Sequence, residues 1–241
     1  MVVNKYWLNE MYLSGFIQQI DYFARGLIEK IIPAFDDIGE GAKKAQDEAY
    51  SRLSRVVDPE WFDPADVADQ VYHAGVDFYI MAQGIVQGIT NMFTAGLYHL
   101  FEQQLLKFHR KELLFRHEED DPKLMRIEET RKRLLEDYGI DVATFSSWGK
   151  IEELRLVANC VKHADGPSCA QLKELRPDLF VPPFVKKETE EADLAFVGQV
   201  FQPLAGEDLY VSANDFEKYV EAVKGLWQEF AEAFDGFEYK T

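Results

Sequence analysis

Residues 78–108 read FYIMAQGIVQGITNMFTAGLYHLFEQQLLKF, and this stretch decides the fold. Apolar side chains recur at three- and four-residue steps through Phe78, Met81, Ile85, Ile89, Phe93, Leu97, Phe101, Leu105 and Phe108, the period of a helix and not of a strand. No proline occurs between 65 and 117, so the spacing predicts one very long central helix, or two that meet at Gly84 and Gly88. Residues 78–101 carry no Asp, Glu, Lys or Arg, which raises the question of a membrane span. Gln83, Gln87, Thr90, Asn91 and Thr94 would all bring hydrogen-bonding groups into hydrocarbon, and Asp77 and Glu102 flank the segment. The reading is a buried helix and no membrane insertion.

Helical periodicity extends outward on both sides. Tyr12, Phe16, Ile20, Phe23, Leu27 and Ile31 form an amphipathic stripe that ends before Pro33. Gly39 and Gly41 punctuate a turn, and 42–57 reads as a shorter helix stopped by Asp58-Pro59. After the central helix, the acidic run Glu118-Glu119-Asp120-Asp121 reads as a solvated turn preceding a helix over 122–138, which Gly139 ends. A further helix over 148–163 follows a cap at Ser146 or Ser147. Ser212-Ala213-Asn214-Asp215 resembles a capping box with Asp in place of Glu. It opens a last stripe of Phe216, Tyr219, Val220, Val223, Trp227 and Phe230. Between these helices, prolines at 177, 182 and 183, with Leu179-Phe180-Val181 and Leu209-Tyr210-Val211, predict a short β-hairpin. The expected architecture is all-α, a single helical domain over 1–241 with that hairpin in its C-terminal third.

Composition narrows the function. The formal charge of −17 opposes general adhesion to nucleic acid or anionic membrane, so any RNA contact must be local. Two cysteines, Cys160 and Cys169, read as reduced thiols, and no secretory signal is evident at the N-terminus, which together point to the cytoplasm. The five histidines, at 73, 99, 109, 117 and 163, form no His-x-x-x-His or Glu-x-x-His pair, so no metal site and no cofactor is expected.

The segment with the most chemistry is Glu153-Leu154-Arg155-Leu156-Val157-Ala158-Asn159-Cys160-Val161-Lys162-His163. Arg155, Asn159 and His163 are four residues apart, drift about 40° per step, and offer a fixed cation, an amide and a titratable imidazole on one helix face. Lys162 lies beside them. On the central helix, Gln83, Gln87, Thr90, Asn91, Thr94 and Glu102 project within about 120° as a polar ribbon. If this ribbon is partly buried, Glu102 needs a cation, and Arg155 is the preferred candidate. The same ribbon can line a ligand pocket, with Glu102, Asn91 and Lys162 as binding residues.

The Arg155, Asn159 and His163 pattern, with Asp165-Gly166 ending the helix just after the histidine, resembles the HEPN superfamily, in which an arginine and a histidine stand a short step apart on one helix. The position directly before Asn159 is Ala158 where that signature has its arginine. The resemblance implies a helical bundle, a homodimer, and in catalytic members a metal-independent endoribonuclease. There, paired Arg and His promote attack of a ribose 2′-hydroxyl on the neighbouring phosphate. In this chain His163 would shuttle the proton and Arg155 would stabilise the phosphorane. Three readings stand at this stage. They are a catalytically silent HEPN-like interaction or regulatory module of a stress or defence system, with a protein partner; an endoribonuclease using Arg155, Asn159 and His163; and a helical bundle that binds a small molecule.

Overall fold

The computed structural model describes residues 12–56, 63–186 and 208–235. Among these the fold is all-α, with no strand, and no helix is long and apolar enough to cross a membrane. The contacts cluster into two units, one from Met1–Arg25 with Thr90–Thr241, the other from Gly26–Ile89.

The helices are α1, Ser14–Arg25; α2, Ile38–Val56; α3, Pro64–Phe108; α4, Ile127–Tyr138; α5, Trp148–His163; α6, Pro167–Leu175; α7, Pro183–Lys186; and α8, Ala213–Asp235. The central helix α3 is continuous over 45 residues, and its glycines do not break it.

In the Gly26–Ile89 unit, α2 begins at Ile38, inside the stretch that Gly39 and Gly41 mark as a turn. Gly41 serves packing: a Cβ there would lie 2.5 Å from Cε1 of Phe78. Gly75 is approached in the same way by Gln46, at 2.5 Å from its Nε2. At Gly84 and Gly88, by contrast, a Cβ would meet nothing within 4 Å among the described residues, so no close packing there calls for a glycine.

The larger unit is organised around Trp227. Its ring lies 4.7 Å from Phe16, 5.5 Å from Phe230, 6.3 Å from Phe108 and 6.4 Å from Phe101. Aromatic pairs at these separations add to the stabilisation from area burial alone. Its indole N–H donates to Gln104 Oε1 at 3.0 Å, and the Gln104 amide donates to Phe16 O and Gln19 Oε1, both at 3.2 Å. One buried glutamine thereby ties α8, α3 and α1 through polar contacts that burial would otherwise penalise. All six residues of the α8 stripe are buried.

Helix ends follow from local chemistry. Ser212 and Asp215 form the reciprocal box, with Asp215 N–H donating to Ser212 Oγ at 3.0 Å and Ser212 N–H to Asp215 Oδ2 at 3.2 Å. Gly139, at φ 66°, closes α4 as Ile140 N–H reaches Leu134 O at 2.9 Å. The start of α5 differs from expectation, because neither serine caps it through its own side chain. Glu229 of α8 does so, accepting from Ser146 N–H at 2.6 Å, from Ser147 N–H at 3.2 Å and from the Ser147 hydroxyl. A carboxylate at a helix N-terminus answers both the open amides and the dipole.

Two expectations are corrected. Helix α4 starts at Ile127 and not at 122, because the acidic run is pinned into turns: Glu118 takes Phe115 N–H at 2.8 Å and Arg133 Nη2 at 2.8 Å, while Lys111 holds Glu119 at 2.9 Å and Arg110 holds Asp120 at 2.7 Å. The β-hairpin is not formed among the described residues. Leu179 and Phe180 belong to a 3-10 turn, Pro177–Phe180, and the backbone bond that joins the two segments among the described residues is Tyr210 N–H to Leu179 O at 2.7 Å. Prolines at 177, 182 and 183 remove donors that a ladder needs. The apolar runs there report burial and not extension, since Leu179, Phe180, Val181, Leu209 and Val211 are all core residues. The connection between them, 187–207, lies outside the described residues.

Candidate functional site

Trp148, Ile151, Glu152 and Arg155 stand at steps of three, one and three along α5, and so share one face. Tyr98, Phe101, Glu102 and Leu106 do the same on α3. These two faces and the stretch from Met125 to Glu128, with Arg131 of α4, enclose a cleft of about 390 Å³ within the larger unit. Its walls carry three arginines, 126, 131 and 155, three glutamates, 102, 128 and 152, and the rings of Tyr98 and Trp148.

Arg155 Nε bonds Glu152 Oε2 at 3.0 Å, one turn back on its own helix. Glu102 lies near His99 Nδ1 at 3.5 Å, so Arg155 and Glu102 share the cleft while each has a nearer neighbour. Arg131 lays its guanidinium over the Trp148 ring, 4.6 Å from the centroid, and its buried Nε has no hydrogen-bond partner among the described residues. Burial, and then the charge of Glu102, holds the Tyr98 phenol above its ordinary range, with Arg155 opposing. Tyr98 is therefore a neutral hydroxyl at physiological pH.

The remaining residues named from sequence lie elsewhere. Asn159 donates from Nδ2 to Ser168 Oγ at 3.2 Å, tying α5 to α6. His163 and Lys162 are exposed at the last turn of α5. His163 stands eight positions after Arg155, which is about 12 Å along the axis and about 80° around it. Neither Asn159 nor His163 lines the cleft. Asn91 is buried and donates from Nδ2 to Leu209 O at 2.7 Å, holding the segment before α8 against α3. The polar ribbon is divided as well: Gln83 is exposed, Thr90, Asn91 and Thr94 are buried, and Glu102 reaches the cleft.

A second charged cluster surrounds Arg176. Its guanidinium bonds both Asp178 oxygens, at 2.7 and 2.8 Å, Asp215 Oδ1 at 3.0 Å, and Glu153. Glu153, 5% exposed, also accepts from Lys150 Nζ at 2.7 Å and Tyr219 OH at 2.8 Å. The hydrogen bonds that Arg176 donates to Asp178, against the cost of burial, hold its guanidinium above its ordinary range, and Asp215 adds to this. Burial pushes the Asp215 carboxyl up, but hydrogen bonds from Ser212 and Arg176 outweigh it and leave the group below its usual range. With each of its charged groups hydrogen-bonded to another, this cluster is suited to joining helices and leaves little for chemistry on a ligand.

The thiols are equally quiet. Cys160 and Cys169 are buried and unbridged, and burial, then the neighbouring Cys169, pushes the Cys160 thiol up to about 12. Among the described residues no group of three or more His, Cys, Asp or Glu side chains is arranged to hold a metal ion.

Arg126, Arg131 and Trp148 were not marked as site residues by sequence reasoning. Arg131 and Trp148 meet across seventeen positions of chain that include a helix end and a turn, and no local period encodes that. Comparisons with protein-family models, with curated proteins and with solved structures find no match for this chain.

Proposed function

We propose that the chain is a catalytically silent helical binding module, HEPN-like in its frame, which holds a small polar ligand in the cleft beside Arg155. The observation that carries this reading is the division of the motif. Arg155 faces a cleft with Glu102, Arg131 and Tyr98, whereas Asn159 is engaged by Ser168 and His163 stands at the exposed end of the helix. A phosphoryl-transfer site needs its proton shuttle and its cation within reach of one phosphorus, and about 12 Å along a helix does not supply that. A cleft of about 390 Å³ with aromatic walls and convergent charged groups has the attributes of a small-ligand site. The regulatory role, the homodimer, the protein partner and the cytoplasmic setting belong to the same proposal and rest on the resemblance and the composition.

The test is a thermal-shift panel of nucleotides, sugar phosphates and amino acids on the purified full chain and on Arg155→Gln, beside an RNA cleavage assay in EDTA. At least one compound should raise Tm in the parent chain and do so less in the variant, with RNA left intact. No shift from any compound would overturn the binding reading. RNA cleavage that is abolished by His163→Ala would replace it with the endoribonuclease.

A further inference from the structure

The chain carries 43 acidic and 26 basic residues, so an arginine has carboxylates in abundance around it. Arg176, Arg133, Arg110 and Arg155 all have one. Arg126 and Arg131 have no ion-pair partner among the described residues, and both line the same cleft. Two guanidinium groups left unpaired in an acidic chain, at one site, are matched by a ligand that brings its own negative charge.

We infer that this ligand is a small organic phosphate, a phosphate monoester on a hydroxylated carbon frame, with its phosphate held by Arg126 and Arg131 and its hydroxyls by Glu102; this rests on the cleft being the ligand site. The stacking of Arg131 on Trp148 fixes the plane of the guanidinium, so its edge donors are presented without the loss of rotamer freedom that a mobile arginine would suffer. A dianion suits two guanidiniums better than a carboxylate does. The first turn of α4 lines the cleft beside Arg126, and its dipole there is offset by Glu128, which shares the lining.

The opposite wall sets the second half of the specificity. Glu152 is occupied by Arg155, Glu128 stands on the α4 side with the arginines, and Glu102 has, among the described residues, His99 as its ion-pair neighbour at 3.5 Å and so keeps acceptor capacity. A carboxylate accepts hydrogen bonds from hydroxyls and repels an anion. A bare phosphate gains nothing from Glu102, whereas a sugar phosphate places hydroxyls there and keeps its charge at the arginines. The volume of about 390 Å³ is at the small end of ligand sites, which fits a pentose phosphate or a mononucleotide and not a dinucleotide.

Calorimetric titration of the full chain tests this with ribose 5-phosphate, adenosine 5′-monophosphate, ribose and inorganic phosphate as probes. Ribose 5-phosphate should bind at least tenfold more tightly than ribose or inorganic phosphate. Arg126→Gln and Arg131→Gln should each weaken it about tenfold, and Glu102→Gln should weaken it several-fold. The exposed Arg126 makes the first variant one that folds whatever becomes of the second. If adenosine 5′-monophosphate alone binds, the frame is a nucleoside and not a bare sugar, and the phosphate assignment stands. Equal binding of inorganic phosphate and ribose 5-phosphate, or binding indifferent to Arg126→Gln, would overturn the inference. If neither organic phosphate binds but an amino acid binds in an Arg155-dependent way, the ligand class is wrong and the cleft reading survives. If nothing in the combined panel binds, both fall.

Discussion

The Tyr219 hydroxyl of α8 donates to the Glu153 carboxylate of α5 at 2.8 Å, across 66 residues of sequence, and the same carboxylate is bonded by Arg176. Burial, then the charge of Glu153, keeps that phenol protonated well above its ordinary range. The α5 and α8 faces are thus joined by charge as well as by apolar contact.

Removing the cation should therefore be costly. Arg176→Met leaves Glu153 and Asp215 buried with fewer partners and should destabilise the chain by about 3–5 kcal/mol. Tyr219→Phe, which removes one donor, should cost about 1–2 kcal/mol. Urea unfolding of both variants and their double mutant measures each value and the coupling. A cost below about 1 kcal/mol for Arg176→Met would show the cluster to be dispensable.

His109 gives a pH signature. It is fully buried, and neither ring nitrogen has a partner among the described residues. Burial, and then the charge of Arg133, holds its imidazole down at about 4, with Glu118 and Glu129 opposing. An unfolded chain protonates a histidine near 6.5, so between these values the unfolded state binds more protons. The contribution is whole above about pH 6.5 and is lost as pH falls to about 4, on the order of 3 kcal/mol in all. His109→Leu should flatten the stability curve over that window with no loss at pH 7. Parallel curves for the variant and the parent chain would contradict this.

The glycines separate by surroundings. Gly41→Ala drives a methyl group into the Phe78 ring and should cost about 1–3 kcal/mol. Gly84→Ala and Gly88→Ala meet open space within a helix and should each stabilise by up to about 1 kcal/mol. Thermal melts of the three variants report the order directly, and a stabilising Gly41→Ala would refute the packing account.

The helical frame was legible because burial of one face imposes a period on sequence. The stripe of α8, the α3 stripe from Leu97 to Phe108, the extent of α5, the Ser212–Asp215 box and the Gly139 stop are all local patterns that appear in the structure. Met81 and Ile85 of the same α3 stripe are exposed, however, and the first stripe runs past Arg25 into a π-helical turn, Gly26–Ile31. Local reading failed where a distant group supplied the partner. Glu229 caps α5 in place of Ser147, Phe78 decides what Gly41 is for, and the turns at 118–125 are held by Lys111 and Arg133. The site divided for the same reason. Helical spacing put Arg155, Asn159 and His163 on one side of α5, but α6 took up Asn159, and the cleft formed only where α3 and α4 meet Arg155. Leu179-Phe180-Val181 misled because apolar, β-branched runs mark burial in a 3-10 turn as readily as in a strand.

The central claim is that the cleft between α3, α4 and the first turns of α5 is where a ligand sits, and Trp148 is its internal reporter. The chain has four tryptophans, and their indole N–H signals, assigned by Trp148→Phe and Trp227→Phe, can be followed by NMR during titration with ribose 5-phosphate. Trp148 should shift along a saturating curve while the core residue Trp227 stays in place. A Trp148 signal that does not move at saturating ligand would contradict the account.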